Sequence, residues 1–204
     1  LLNDTGTLDE SHKRRIYSDI YDDSMWLISL VENLLSITRM EGGAVQLHME
    51  TELLEEVIDE AMRHVNRRHE NHSIRVTQEG DYILASVDAQ LIIQVITNLV
   101  DNAIKYTPDG SRITIKSYKD NGNAVIEVSD NGPGIPDESK DRIFQMFYTT
   151  GHKSADGKRG MGLGLPLCRA IVNAHKGTIE VLDNTPSGSI FRLILPAEEV
   201  SFHE

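Results

Sequence analysis

Apolar residues at three- and four-residue steps (Ile16, Ile20, Leu27, Leu30, Val31, Leu34, Ile37 and Met40) predict one long helix over 8–40. Thr7 and Glu10 stand at capping-box spacing at its start, and Gly42 and Gly43 supply a glycine stop. A helix of this length with one apolar seam cannot bury that seam alone, so it needs a partner helix. Only seven residues precede it. The partner is therefore expected from an upstream segment or a second copy, and a homodimer through this helix is the expected assembly.

Downstream the period changes. Val45, Leu47 and Met49 alternate with Gln46 and His48 as in a short strand, and Leu53, Leu54, Val57, Ile58, Ala61, Met62 and Val65 mark a helix. Short strands are expected at 74–77 and 83–87, with Asp88 placed to cap a second helix that runs to Tyr106. Strands 113–118 and 124–129 make a hairpin about the turn dipeptide Asn121-Gly122. A glycine-rich stretch over 131–164 leads into a helix ending near Ala174, and strands 178–183 and 190–195 follow. Mixed elements with antiparallel connections give an α+β fold, a two-layer α/β sandwich preceded by one long helix.

The 204 residues carry a net charge of -12, which argues against nonspecific nucleic-acid binding because phosphates are repelled over most of the surface. A phosphate site in so acidic a chain needs positive charge concentrated locally. The single cysteine, Cys168, excludes a disulfide framework and fits a reducing cytosol; its helical apolar context fits a core position better than a nucleophile. No apolar run approaches the roughly 18 residues needed to cross a bilayer.

Three segments carry candidate chemistry. In Asn98-Leu99-Val100-Asp101-Asn102-Ala103-Ile104-Lys105-Tyr106, helical spacing puts Asn98, Asn102 and Lys105 on one face and turns Leu99 and Ala103 toward the sheet. Amide oxygens are hard ligands suited to a partly hydrated Mg2+, and a lysine meets phosphate as a point charge. A plain solvated face is an equal reading of that segment alone. In Asp130-Asn131-Gly132-Pro133-Gly134, a carboxylate at a strand end precedes two glycines that permit close backbone approach. It can accept from an exocyclic amine such as that of adenine, while a simple turn explains the segment equally well. Gly160-Met161-Gly162-Leu163-Gly164 runs into a helix, where consecutive amides form an anion site. It follows no strand, which disfavours a dinucleotide fingerprint. Between the second and third segments, 149–159 brings His152, Lys153, Lys158 and Arg159, the local positive charge required, in a loop long enough to be a lid. Phe144 and Phe147 read as the apolar foot of that lid or as core.

In this order and spacing, Asn-x3-Asn, Asp-x-Gly-x-Gly, Phe-x2-Phe and Gly-x-Gly-x-Gly resemble the N, G1, F and G2 boxes of the histidine-kinase branch of the Bergerat-fold (GHKL, HATPase_c) ATPases. The resemblance covers about 42–196. Helix 8–40 resembles the second helix of a dimerisation and phosphoacceptor hairpin. The runs Arg39-Met40-Glu41-Gly42-Gly43, Leu53-Leu54-Glu55-Glu56-Val57 and Leu167-Cys168-Arg169-Ala170-Ile171-Val172 are most similar to the KdpD potassium-responsive sensor kinases.

The resemblance implies a hairpin remnant over 1–41, a catalytic domain over 42–204 with an ATP lid at about 133–162, and ATP and Mg2+ as cofactors. Asn102 would ligate Mg2+, Asn98 would help hold the phosphate and metal region, and Lys105 would contact phosphate; these three are the expected catalytic set. Tyr106 would pack by the nucleotide, Asp130 would accept from the adenine amine, Gly132 and Gly134 would permit the approach, and Ile135 would wall the base. Gly160, Gly162 and Gly164 would cradle phosphates, and Phe147, Lys153, Arg159 and Leu163 complete the nucleotide-binding set. The implied partners are a second copy and a response-regulator receiver domain, with no nucleic acid, in a cytoplasmic fragment of a membrane-anchored parent.

Sister ATPases carry a glutamate where this chain has Asn98, and an asparagine is no general base. Holding ATP for another nucleophile is thus favoured over hydrolysis. None of the eight histidines lies in a His-Glu/Asp-x-x-x-Pro context: His12 stands in Ser-His-Lys-Arg-Arg, and His48, His64, His69, His72, His152, His175 and His203 also lack it. The acceptor is expected upstream of Leu1, leaving a chain that binds MgATP without phosphorylating itself.

Overall fold

The computed structural model of the protein describes residues 9–42, 46–65, 71–149 and 162–198. Thr7, Gly43, Val45, His69, His152, Lys153, Lys158, Arg159, Gly160 and His203 lie outside them.

The long helix, α1, spans Glu10–Glu41. Its N-cap is Asp9, so Glu10 is the first helical residue, and its carboxylate pairs with Lys13 at 2.8 Å; the capping-box partner Thr7 lies outside the described residues. Gly42 keeps right-handed geometry, with φ −76°. Among the described residues, the C-terminal part of α1 packs on the body of the molecule: Ile37 is buried, Leu30 and Met40 pack on the core, and the main helix contact is with α5 (Gly164–Ala174). The rest of the predicted seam is open, with Ile20 57% and Val31 53% exposed.

The expected strand at 45–49 is displaced. Residues 46–49 have no regular structure, and β1 is Glu50–Leu53, paired antiparallel with β3, Leu84–Val87. Helix α2, Leu54–His64, buries Leu54, Val57, Ile58 and Ala61 on one face, the face its three-and-four spacing foretells. Strand β2 is Ser73–Gln78, and α3 is Ala89–Tyr106, capped by Asp88, which accepts from the Leu91 amide at 3.3 Å.

Strands β4, Arg112–Asp120, and β5, Asn123–Asp130, form the expected hairpin; Asn121 and Gly122 both take positive φ, as a tight two-residue turn demands. A single-turn helix α4, Asp137–Lys140, then precedes α5, Gly164–Ala174, and strands β6, Thr178–Asp183, and β7, Ser189–Pro196.

The main sheet runs β2-β4-β5-β7-β6, parallel only between β2 and β4. Helices α3 and α5 pack against it, and α2 packs on α3. The two-residue period sorts the strands: Ile113 and Ile115 of β4, Ala124, Ile126 and Val128 of β5, and Phe191, Leu193 and Leu195 of β7 are buried in the core. Lys116, Tyr118, Glu127 and Arg192 belong to the alternate phase, where Arg192 bridges Glu127 at 2.7 Å and Glu180 at 3.1 Å. The observed architecture is thus an α+β sandwich with one long helix in front.

Candidate nucleotide site

Asp130 continues the inward phase of Ala124, Ile126 and Val128, so the strand's own period delivers a carboxylate to the layer between sheet and helices. Its side chain is 8% exposed. The Gly132 amide donates to Oδ1 at 2.8 Å, and the Ser189 amide donates to the same carboxylate. Burial pushes the Asp130 carboxyl above the usual aspartate range, and the two amides pull it partly back. Asn184 donates from Nδ2 to the Asp130 carbonyl at 2.7 Å, fixing the strand end from the β6–β7 loop. Gly132 is required here: a Cβ would lie 2.6 Å from Thr107 Cγ2 and 2.9 Å from Asp130 Oδ1.

A cleft opens beside Asp130 with about 930 Å3 of empty space, part of it open to solvent. The last turns of α3 give one wall through Asn102, Ala103 and Tyr106, followed by Thr107. Opposite lie Pro133, Gly134, Ile135 and Pro136, then Ile143, Tyr148 and Thr149. Gly162, Gly164 and Leu165 close one end, and Ser189 and Phe191 of β7 form part of the lining beside Asp130. The cleft is mostly apolar with a few polar groups, as small-molecule sites are.

Helices α3 and α5 meet at Gly164, where the ideal Cβ position is 3.6 Å from Asn98 Oδ1 and 4.0 Å from Asn102 Nδ2. The amide pair of α3 therefore faces the first turn of α5, whose unsatisfied N–H groups favour an anion. Lys105 is half-buried, with Nζ 5.3 Å from the centroid of the Tyr106 ring. Burial raises the Tyr106 hydroxyl above its usual range, so it stays protonated at neutral pH.

Of the expected site residues, Asn102, Tyr106, Asp130, Gly134, Ile135, Gly162 and Gly164 line this one cleft. Gly132 and Asn98 adjoin it through Asp130 and Gly164. Lys105 stands off the lining, and Leu163 is fully buried as the residue before α5. The two phenylalanines separate: Phe144 is 6% exposed under the Arg169 guanidinium, whereas Phe147 has φ 63° and is 61% exposed. The Phe147 amide donates to the Gly162 carbonyl at 2.9 Å, joining the described stretch that ends at 149 to the one that begins at 162. Cys168 is fully buried, its thiol pushed up to about 12 by burial, which fits the core role.

Thr107, Tyr148, Ser189 and Phe191 were not singled out by motif. Ser189 carried one usable signal, since it opens β7 on the buried phase of Phe191, Leu193 and Leu195. Thr107 directly follows the asparagine helix; its hydroxyl donates to the Ala103 carbonyl at 2.7 Å and contacts His72 Nε2 at 3.1 Å.

The family model for histidine kinase-, DNA gyrase B-, and HSP90-like ATPases matches residues 87–199. The chain belongs to this family. Within it, the chain is 42% identical over 198 residues to the sensor protein KdpD of Clostridium acetobutylicum, covering 97% of this chain but 22% of that relative. Among solved structures it is similar to the histidine kinase AdeS of Acinetobacter baumannii, with TM-score 0.77 and 26% identity over 97% of this chain and 90% of that one. It is also similar to the histidine kinase ThkA in its complex with the response regulator TrrA, with TM-score 0.74 and 26% identity over 93% of this chain and 53% of that one. This HATPase_c chain therefore spans only about a fifth of its curated KdpD relative.

Proposed function

We propose that this chain is the ATP-binding catalytic region of a two-component sensor histidine kinase. The observation that carries the reading is the buried Asp130 carboxylate, held by two backbone amides at the edge of an apolar cleft. An acceptor so fixed matches the exocyclic amine of adenine, with Ile135 and Tyr106 flanking the base. The triphosphate then lies toward the meeting of α3 and α5, where Gly164 adjoins Asn98 and Asn102. Lys105, Lys153, Arg159 and Gly160 belong to the phosphate end in this reading, and residues 133–162 form the lid. Residues 1–41 belong to the dimerisation hairpin and 42–204 to the catalytic domain.

The donor set fits Mg2+. Among the described residues no group of three His, Cys, Asp or Glu side chains could hold a metal. The amide of Asn102 on the cleft wall offers a neutral oxygen, suited to a hard cation whose other ligands are phosphate oxygens and water. Held there, Mg2+ would supply charge neutralisation for phosphoryl transfer. The protein's own residues orient and hold. Asn98 cannot take a proton from water, so the γ-phosphoryl waits for a nucleophile brought to it.

That nucleophile is a histidine outside the eight of this chain, which passes the phosphoryl on to a response-regulator aspartate. The open apolar seam of α1 pairs with a second copy, and the fragment works in the cytoplasm. Among the described residues no helix is long and apolar enough to cross a membrane. The test is phosphotransfer from radiolabelled ATP, with and without a separate polypeptide supplying a His-Glu-x-x-x-Pro helix. Acid-labile label on the added helix alone is expected. Label on this chain by itself, or steady ATP hydrolysis without acceptor, overturns the proposal.

A further inference from the structure

The end of α5 farthest from the cleft meets the start of α3 through two residues that nucleotide binding does not use, the His175 side chain and the Asp88 backbone amide. His175 is 2% exposed, and its Nε2 accepts from the Asp88 backbone amide at 3.0 Å. Its Nδ1 lies 2.8 Å from the Ile171 carbonyl. A backbone N–H only donates and a carbonyl only accepts, so the ring proton resides on Nδ1 and the Nε2 lone pair faces Asp88. Both ring nitrogens are committed.

Asp88 is tied in turn. Its Oδ1 caps α3 at Leu91, and its Oδ2 accepts from the His48 amide at 3.1 Å. His48 lies in the irregular segment between α1 and β1. The two helices run antiparallel, with three points of register: Asp88 against His175, the Cys168 thiol 3.9 Å from the Val95 carbonyl, and Gly164 against Asn98 and Asn102. Those last residues are the expected phosphate end of the cleft. Asp130, the proposed acceptor for the base, belongs to the sheet instead.

We infer that His175 is a positioning residue, which through the amide and N-cap of Asp88 sets the register of α3 against α5 and so shapes the triphosphate half of the site. The inference rests on the nucleotide reading above. Without an acceptor at Nε2, the Asp88 amide is buried and unpaired, a state that a helix end relieves by moving toward water. Because α3 is continuous, that movement reaches Asn98 and Asn102. Asp130 on β5 and Ile135 after it do not ride on α3, so of the base contacts only Tyr106 moves with the helix.

The test measures affinity by NMR titration for two ligands, an unhydrolysable ATP analogue with Mg2+ and adenosine, in wild type, His175→Leu and His175→Gln. The Leu variant is expected to lose about tenfold for the ATP analogue and less than about twofold for adenosine. Glutamine, whose Oε1 replaces Nε2 as acceptor, is expected to recover the ATP analogue to within about threefold. If His175→Leu does not fold, His175→Asn carries the same test, because its shorter amide can still donate to the Ile171 carbonyl but does not reach the Asp88 amide. Equal weakening of both ligands, or unchanged affinity for the ATP analogue in a folded variant, overturns the positioning role alone. A wild-type protein that binds neither ligand overturns the nucleotide reading and this inference with it.

Discussion

Gly164→Ala separates the demands of the fold from those of the ligand. Among the described residues the added Cβ meets only Asn98 Oδ1 at 3.6 Å and Asn102 Nδ2 at 4.0 Å, both ordinary contact distances. Gly164 is the first residue of α5. Replacing glycine by alanine at a compatible site stabilises by about 0.4–1 kcal/mol, chiefly by restricting the unfolded chain. In a domain of this size that raises the melting temperature by roughly 1–4 °C. The same methyl group fills the approach to the α5 amides, and overpacking of that kind costs about 1–3 kcal/mol, roughly five- to 150-fold in Kd. The expected result is a protein that melts slightly higher without nucleotide and binds the ATP analogue much more weakly by calorimetry. Gly162→Ala is the contrast: φ is 65° there and a Cβ would lie 2.6 Å from the Tyr148 carbonyl oxygen, so the fold itself resists. That variant should lose about 1–3 kcal/mol of stability. A Gly164→Ala protein that melts lower, or binds as wild type does, refutes the phosphate placement.

Two further outcomes follow from the same geometry. Burial raises the Asp130 carboxyl above 3.8, so the folded state holds that proton more tightly than the unfolded chain. Its contribution to stability is full below pH 3.8 and is lost as pH rises through the raised folded value. In denaturant titrations, wild-type stability relative to Asp130→Asn should therefore fall with rising pH across that window; a constant difference contradicts the burial argument. On α1, a double substitution of the exposed Ile20 and Val31 by Asp should turn a dimer into a monomer in sedimentation, with the cleft's nucleotide affinity unchanged. A wild-type protein that sediments as a monomer at micromolar concentration counts against the paired seam.

What could be read from the chain follows the strength of local periodicity. Helix α2 was legible because Leu54, Val57, Ile58 and Ala61 repeat on one face, and α3 because Asp88 announces its start. Strand β1 was misplaced because Val45, Leu47 and Met49 alternate better than Glu50–Leu53 does. The true strand is chosen by pairing with β3, a contact from over thirty residues away that no local pattern encodes. Helix α4 is too short for any period to reveal. Phe144 and Phe147 read alike as lid foot or core, but only Phe144 is buried, because the left-handed backbone at Phe147 turns it out to solvent. At the cleft, the asparagine motif marked the α3 wall and the motif at 130–134 the wall opposite. Ser189 and Phe191 arrive from β7 by sheet order, which the sequence alone does not display.

The most direct test of the central claim is isothermal calorimetry of the wild-type chain and Asp130→Asn with an unhydrolysable ATP analogue and Mg2+, repeated with the guanine counterpart. Saturable binding of the adenine nucleotide, lost in the variant and absent for guanine, is the predicted result. No heat with the wild type, or equal binding by the variant, contradicts it.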